Sequence, residues 1–123
     1  MRTILVVDDS RAIRSAIRRI VEGLDFACAE AENGQVALDY CRSSPLPDCI
    51  LLDLVMPEMD GLTCLREMRK DTQLQDCVVV VCSTQNSMES LAEAVASGAN
   101  EFIMKPFTPE ILSEKLRQVG VLE

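Results

Sequence analysis

Six side chains in this sequence conflict chemically with their surroundings. Asp8 and Asp9 end the apolar run "ILVV", Asp53 interrupts "CILLDLV", Ser83 and Thr84 close "VVVVCST", and Lys105 directly follows "EFIM". Carboxylates resist desolvation and repel one another, so acids placed at the ends of buried strands need compensation. A hard divalent cation supplies it, because carboxylates, a backbone carbonyl and waters match the octahedral oxygen preference of Mg2+. Together with one ammonium and one hydroxyl, such a set suits phosphoryl transfer to a carboxylate, a reaction governed by positioning and charge neutralisation. Asp53 stands alone on its run and is the candidate nucleophile, whereas Asp8 and Asp9 are better placed to hold metal. Plainer readings stand beside these: surface acids, metal binding without chemistry, a hydroxyl that only caps a turn, and a lysine snorkelling off a strand.

These residues can meet only if distant elements carry them to one edge. Apolar runs alternate with amphipathic segments five times, at intervals of about 22 to 28 residues, which is a βα repeat. Strands are predicted over 3–8, 26–30, 49–54, 77–82 and 101–104. Their nearly continuous apolar character calls for a parallel sheet with helices on both faces. Helices are expected after the N-cap Ser10, over 33–43, from Asp60-Gly61, over 87–97 up to Gly98, and after Thr108-Pro109. Their buried stripes are read as Ile13, Ala16, Ile17, Ile20, Val21 and Leu24; Val36, Ala37, Tyr40 and Cys41; Leu62, Leu65 and Met68; Leu91 and Val95; and Ile111, Leu112, Leu116 and Val119. The common strand order for five such units is 2-1-3-4-5, whose reversal falls between strands one and three. Asp8, Asp9 and Asp53 then share one crevice, with Ser83 and Lys105 at the same edge.

Composition narrows the function classes. The 123 residues, 48% hydrophobic and 26% charged, suit one globular domain spanning 1–123 with no output domain. No apolar run approaches the roughly 20 residues of a membrane span, and acids follow the first strand too soon for a signal peptide. A cytoplasmic protein without membrane insertion is expected. Cys28, Cys41, Cys49, Cys64, Cys77 and Cys82 are scattered without a CxxC pair, as suits reduced, buried thiols. With no histidine, the chain cannot be a histidine kinase or phosphotransfer protein, nor use Ser-His-Asp or Cys-His catalysis. The net charge of -8 argues against nonspecific nucleic-acid binding.

In combination, "VVDDS", "LLDLVMPEMDG", a hydroxyl 30 residues beyond Asp53 and "KPF" 22 residues beyond that hydroxyl resemble the receiver domains of two-component response regulators, particularly the single-domain, CheY-like type. The resemblance covers essentially the whole chain and implies the flavodoxin-like α/β fold, a five-stranded parallel sheet doubly wound with five helices. It implies Asp53 as phosphoacceptor, with Asp8, Asp9, Asp53 and the backbone carbonyl of Val55 around Mg2+. Ser83 would hydrogen-bond the phosphoryl oxygens and Lys105 would pair with them, Thr84 lying one residue too late. A cis Lys105–Pro106 peptide is also implied. Ser83 and Phe102 occupy the switch positions, and Phe102 lacks the phenolic hydroxyl of the chemotaxis prototypes. Val55 and Gln85 fall where side chains tune phosphoryl lifetime, and valine there suggests modest autodephosphorylation.

By the same resemblance, the donor would be a phosphohistidine on a sensor histidine kinase or a histidine phosphotransfer protein. A downstream protein would dock on the face from helix 4 through strand 5 to helix 5, in a bacterial pathway such as chemotaxis. The chain would then catalyse only its own phosphorylation and dephosphorylation. A phosphate sink or shuttle in a stress or developmental phosphorelay is the alternative within signalling. From other classes come an aspartate-based phosphatase or phosphotransferase, which would want an acid where Val55 stands, and a flavin-binding protein, whose phosphate Asp8 and Asp9 would repel.

Overall fold

Five short apolar strands pair in parallel because ten successive elements alternate between strand and helix, each helix crossing back over the sheet. The computed structural model describes residues 2–43, 45–54, 59–84 and 88–122. In chain order the elements are β1 (Thr3–Val7), α1 (Arg11–Gly23), β2 (Ala27–Ala31), α2 (Gly34–Ser43), β3 (Cys49–Asp53), α3 (Gly61–Lys70), β4 (Val79–Ser83), α4 (Met88–Ala96), β5 (Glu101–Met104) and α5 (Pro109–Gln118). The strand order is β2-β1-β3-β4-β5, as the βα repeat predicts.

The strand side chains alternate between two cores. Leu5, Val7, Ile50, Leu52, Val79 and Val81 pack beneath α2, α3 and α4, while Ile4, Val6, Cys49, Leu51, Val80 and Cys82 pack beneath α1 and α5. Cys41, Cys49, Cys64, Cys77 and Cys82 are buried in these layers, and Cys28, on the edge strand β2, is half-buried. Burial pushes the Cys41, Cys49 and Cys64 thiols up to about 12, so they pack as neutral hydrophobes.

Strand boundaries depart from the sequence reading where turns claim the backbone. Phe26 donates its N–H back to Val21 of α1, and Asp25 ends that helix at a positive φ of 68°, so β2 starts one residue late. Cys77 donates to the carbonyl of Leu74, so β4 begins at Val79. The helical stripes are also rotated slightly. Ile13, Ala16, Val36, Val95 and Ile111 are exposed, while Leu38 and Ala94 are buried instead. The caps fall where expected: Ser10, Asp60 and Thr108 each accept a hydrogen bond from a first-turn N–H.

α3 starts close against the end of β3. A Cβ on Gly61 would lie 2.2 Å from the Asp53 carbonyl oxygen and 2.7 Å from the Leu54 Cα, while the Gly61 N–H donates to the Leu54 carbonyl at 3.0 Å. Backbone cannot yield here as a flexible side chain would. Gly61→Ala should therefore cost at least about 2 kcal/mol in urea unfolding, more than an Ala substitution at exposed Gly23, where a Cβ has open space.

Candidate functional site

Register brings the chemistry together. Val7 pairs with Leu52 and Asp53 with Cys82, so Asp8, one step beyond β1, stands level with Asp53 on the neighbouring strand. Ser83 pairs with Met104, which sets Lys105 one step beyond. One oxygen from each of Asp8, Asp9 and Asp53 lies within 4.8 Å of the others; Asp8 and Asp53 are buried and Asp9 is exposed. Three hard oxygen donors at this spacing fit a divalent cation such as Mg2+.

Lys105 reaches into the same cluster. Its Nζ donates to Asp8 Oδ2 at 2.7 Å and lies 3.5 Å from Asp53 Oδ1. Burial alone would lower its pKa, but the Asp8 hydrogen bond and the charges of Asp53 and Asp8 outweigh that and raise it above the ordinary 10.5. The lysine is therefore a permanent cation at neutral pH. The other Asp8 oxygen accepts the Ser10 N–H at 2.9 Å. Ser10 thus caps α1 with its hydroxyl and orients Asp8 with its backbone.

The remaining predicted residues divide by face and by position. Ser83 is buried at the end of β4, whereas Thr84 is exposed. Phe102 pairs with Val81, two residues before Ser83 on the same strand, and packs into the core beneath α4. The Lys105–Pro106 peptide is cis. Val55, expected to offer a carbonyl to the metal, and Gln85 lie outside the described residues.

Two features escaped the sequence reading. Arg14 donates to the Asp8 backbone carbonyl at 2.6 Å and to Glu30 at 3.0 Å, and Arg18 donates to Glu30 at 2.7 Å. The Arg18 bond, opposed in part by burial and helped by Arg14, holds the Glu30 carboxyl below its ordinary range. An apolar groove of about 260 Å3 also runs beside the acids, lined by Ile13, Ala16, Ile17, Ile20, Pro106 and Phe107 with Thr84 and Lys105. Ile13 and Ala16, exposed on α1, form part of its wall. The offset between arginines and apolar stripe on α1 was the available signal for a two-faced helix, but nothing in it named a backbone carbonyl as partner.

Comparison with known proteins agrees with this geometry. Residues 4–117 match the family model described as the response regulator receiver domain. The chain is 38% identical over 122 residues to a chemotaxis protein CheY of Listeria monocytogenes, covering 98% of this chain and 99% of that protein. It is 35% identical over 117 residues to the chemotaxis protein CheY of Bacillus subtilis, covering 94% of each. The crystallised chemotaxis protein CheY4 of Vibrio cholerae superposes with a TM-score of 0.90 at 30% identity, covering 97% of this chain and 98% of that one.

The lysine's role makes a signed prediction. Its folded-state pKa lies above the unfolded value, so its ion pairs stabilise fully below pH 10.5 and are lost as pH rises through the folded value. Lys105→Met, which leaves Asp8 and Asp53 facing each other, should lose about 3 kcal/mol at neutral pH. In urea unfolding the gap to the native protein should narrow well above pH 10.5. A gap independent of pH would count against the ion pairs as its cause.

Proposed function

We propose, from the premise that the chain belongs to the response regulator receiver domain family, that it works as a response regulator phosphorylated on Asp53. The observation that carries this reading is the buried Asp53 carboxylate with Asp8 and Asp9 within 4.8 Å and the Lys105 ammonium 3.5 Å away. No other cluster of three potential metal-binding side chains occurs among the described residues.

In the proposed reaction an Asp53 oxygen attacks the phosphorus of a phosphohistidine on a sensor kinase or phosphotransfer protein. The P–N bond breaks and its electron pair stays on the imidazole nitrogen, which leaves as neutral histidine after protonation. Asp8, Asp9 and Asp53 would hold a divalent cation, which would supply charge neutralisation for the phosphoryl oxygens when bound. Lys105 provides a fixed cation for the same oxygens, and its grip on Asp8 keeps it in place before the donor arrives. Ser83 donates its hydroxyl hydrogen to a phosphoryl oxygen. The apolar groove along α1 gives the donor protein footing beside Asp53. The chain's chemistry is confined to its own phosphorylation and dephosphorylation.

Readout is assigned to the other side of Ser83. Ser83 and Phe102 both serve the α4 side of the sheet, so movement of the hydroxyl toward a phosphoryl group frees space that the Phe102 ring can fill. Packing alone can carry this response; a phenolic hydroxyl is unnecessary. A preference of a few kcal/mol between two packings is enough to change the population of a binding-competent face. That face is α4–β5–α5, where Met88, Val95, Met104 and Ile111 are large apolar side chains open to solvent. The names of the CheY relatives favour a chemotaxis pathway as the setting. No helix among the described residues is long and apolar enough to cross a membrane.

A small phosphodonor should label the protein only when Mg2+ is present, and Asp53→Asn should abolish the label in phosphate-sensitive electrophoresis. Ser83→Ala should keep Asp53 as the acceptor but slow labelling about tenfold, the loss of one oriented hydrogen bond to the transferring group. Labelling that survives in Asp53→Asn would move the phosphoacceptor elsewhere. Val95→Asp, far from the acids along α4, should leave labelling unchanged while weakening capture of the downstream target by the phosphorylated protein.

A further inference from the structure

A guanidinium that touches no side chain of the acid cluster nevertheless holds its backbone. Arg14 Nη1 donates to the carbonyl of Asp8, the peptide that joins the two adjacent acids, while Arg14 Nε donates to Glu30 on β2. Arg18 binds the second Glu30 oxygen, so the carboxylate that anchors Arg14 is itself held from two sides. The Arg14 side chain is only 14% exposed, which leaves it little freedom to swing away.

We infer that Arg14 is a positioning residue for the divalent cation: its bridge from Glu30 to the Asp8 carbonyl holds the Asp8–Asp9 peptide against carboxylate repulsion and keeps the cluster preformed. This rests on the reading of Asp8, Asp9 and Asp53 as a cation site. Repulsion among three acids favours turning the Asp8–Asp9 peptide outward, and a charge-assisted hydrogen bond to its carbonyl opposes that turn. Arg14 is well suited to this because its planar fork engages Glu30 and the carbonyl with separate nitrogens at fixed angles.

The inference has a sign that separates it from simple electrostatics. Arg14 brings a positive charge beside the site, within a group in which Arg18 pairs with Glu22 as well as with Glu30. If that charge were all that mattered, removing it would favour a cation, so Arg14→Met would tighten Mg2+ binding and Arg14→Lys would leave it unchanged. Positioning predicts the reverse: both variants bind Mg2+ more weakly, by about tenfold for Arg14→Met, in line with other residues that orient metal ligands.

Isothermal titration of the full unphosphorylated chain with MgCl2 tests this, with urea unfolding to confirm that each variant is folded. Glu30→Gln, which weakens the far anchor while keeping Arg14, should also weaken Mg2+ binding, and Arg18→Gln should do so least. If Arg14→Met fails to fold, Arg14→Lys and Glu30→Gln carry the comparison. Native binding with unchanged or tighter binding in the Arg14 variants overturns this inference alone. Failure of the native protein to bind Mg2+ overturns the cation site itself, and the positioning role with it.

Discussion

The constraint on which the structure turns is the repulsion among Asp8, Asp9 and Asp53 at the end of a buried sheet. For the two buried acids, Asp8 and Asp53, unit charges on oxygens within 4.8 Å of each other repel by at least about 3.5 kcal/mol at an effective dielectric constant near 20. That is a sizeable part of the roughly 5–15 kcal/mol by which a domain is stable. Lys105 offsets it by lying closer to Asp8 than the acids need lie to one another. The cost is carried by elements far from the chemistry: two apolar layers set the strand register, and the register alone decides that these side chains share an edge.

The two faces of the sheet divide the work. Asp53 follows the alternation of Cys49 and Leu51, whose core lies under α1 and α5, and the groove, Arg14 and Glu30 lie on the α1 side as well. Ser83 follows the alternation of Val79 and Val81, whose core lies under α2, α3 and α4 and includes Phe102. The ends of the neighbouring strands β3 and β4 therefore serve opposite faces, Asp53 toward α1 and α5 and Ser83 toward α2, α3 and α4. This arrangement supports reading the acids as input and the α4 face as output.

Much of this was legible in the sequence because the informative residues break a pattern. An acid within "CILLDLV" or a lysine after "EFIM" is visible against an apolar background, and parallel strands deliver their ends to one edge whatever the details of packing. The helical stripes were less legible. Periodicity locates the buried side of a helix, but among adjacent apolar residues such as Val36, Ala37 and Leu38, or Ala94 and Val95, it does not decide which faces the sheet. That choice is made by the fit of the neighbouring layer, which admits Ala94 where Val95 would be bulkier. Arg14 was hidden for another reason: its partner in the site is a carbonyl oxygen, which every residue carries. Gly61 was readable as part of a helix start, but the reason no side chain fits there is the backbone of Asp53 and Leu54, brought near only by the fold.

The packing that holds α4 differs from the packing that holds α3. Among its nine residues α4 buries only Ala94, whereas α3 buries Gly61, Cys64, Leu65 and Met68. Apolar burial scales with area, so α4, with Ala94 buried and Leu91 partly buried against the core, gains less from it than α3 does. Its C-terminal end is nonetheless tied down: Arg69 donates twice to the Gly98 carbonyl and once to Asn100, and Arg66 donates to Ser97. Gly98 allows this by taking a φ of 108° and by leaving no Cβ where the Arg69 side chain lies. The helix is thus tied mainly at its C-terminal end, with Met88 and Val95 open to solvent along its length.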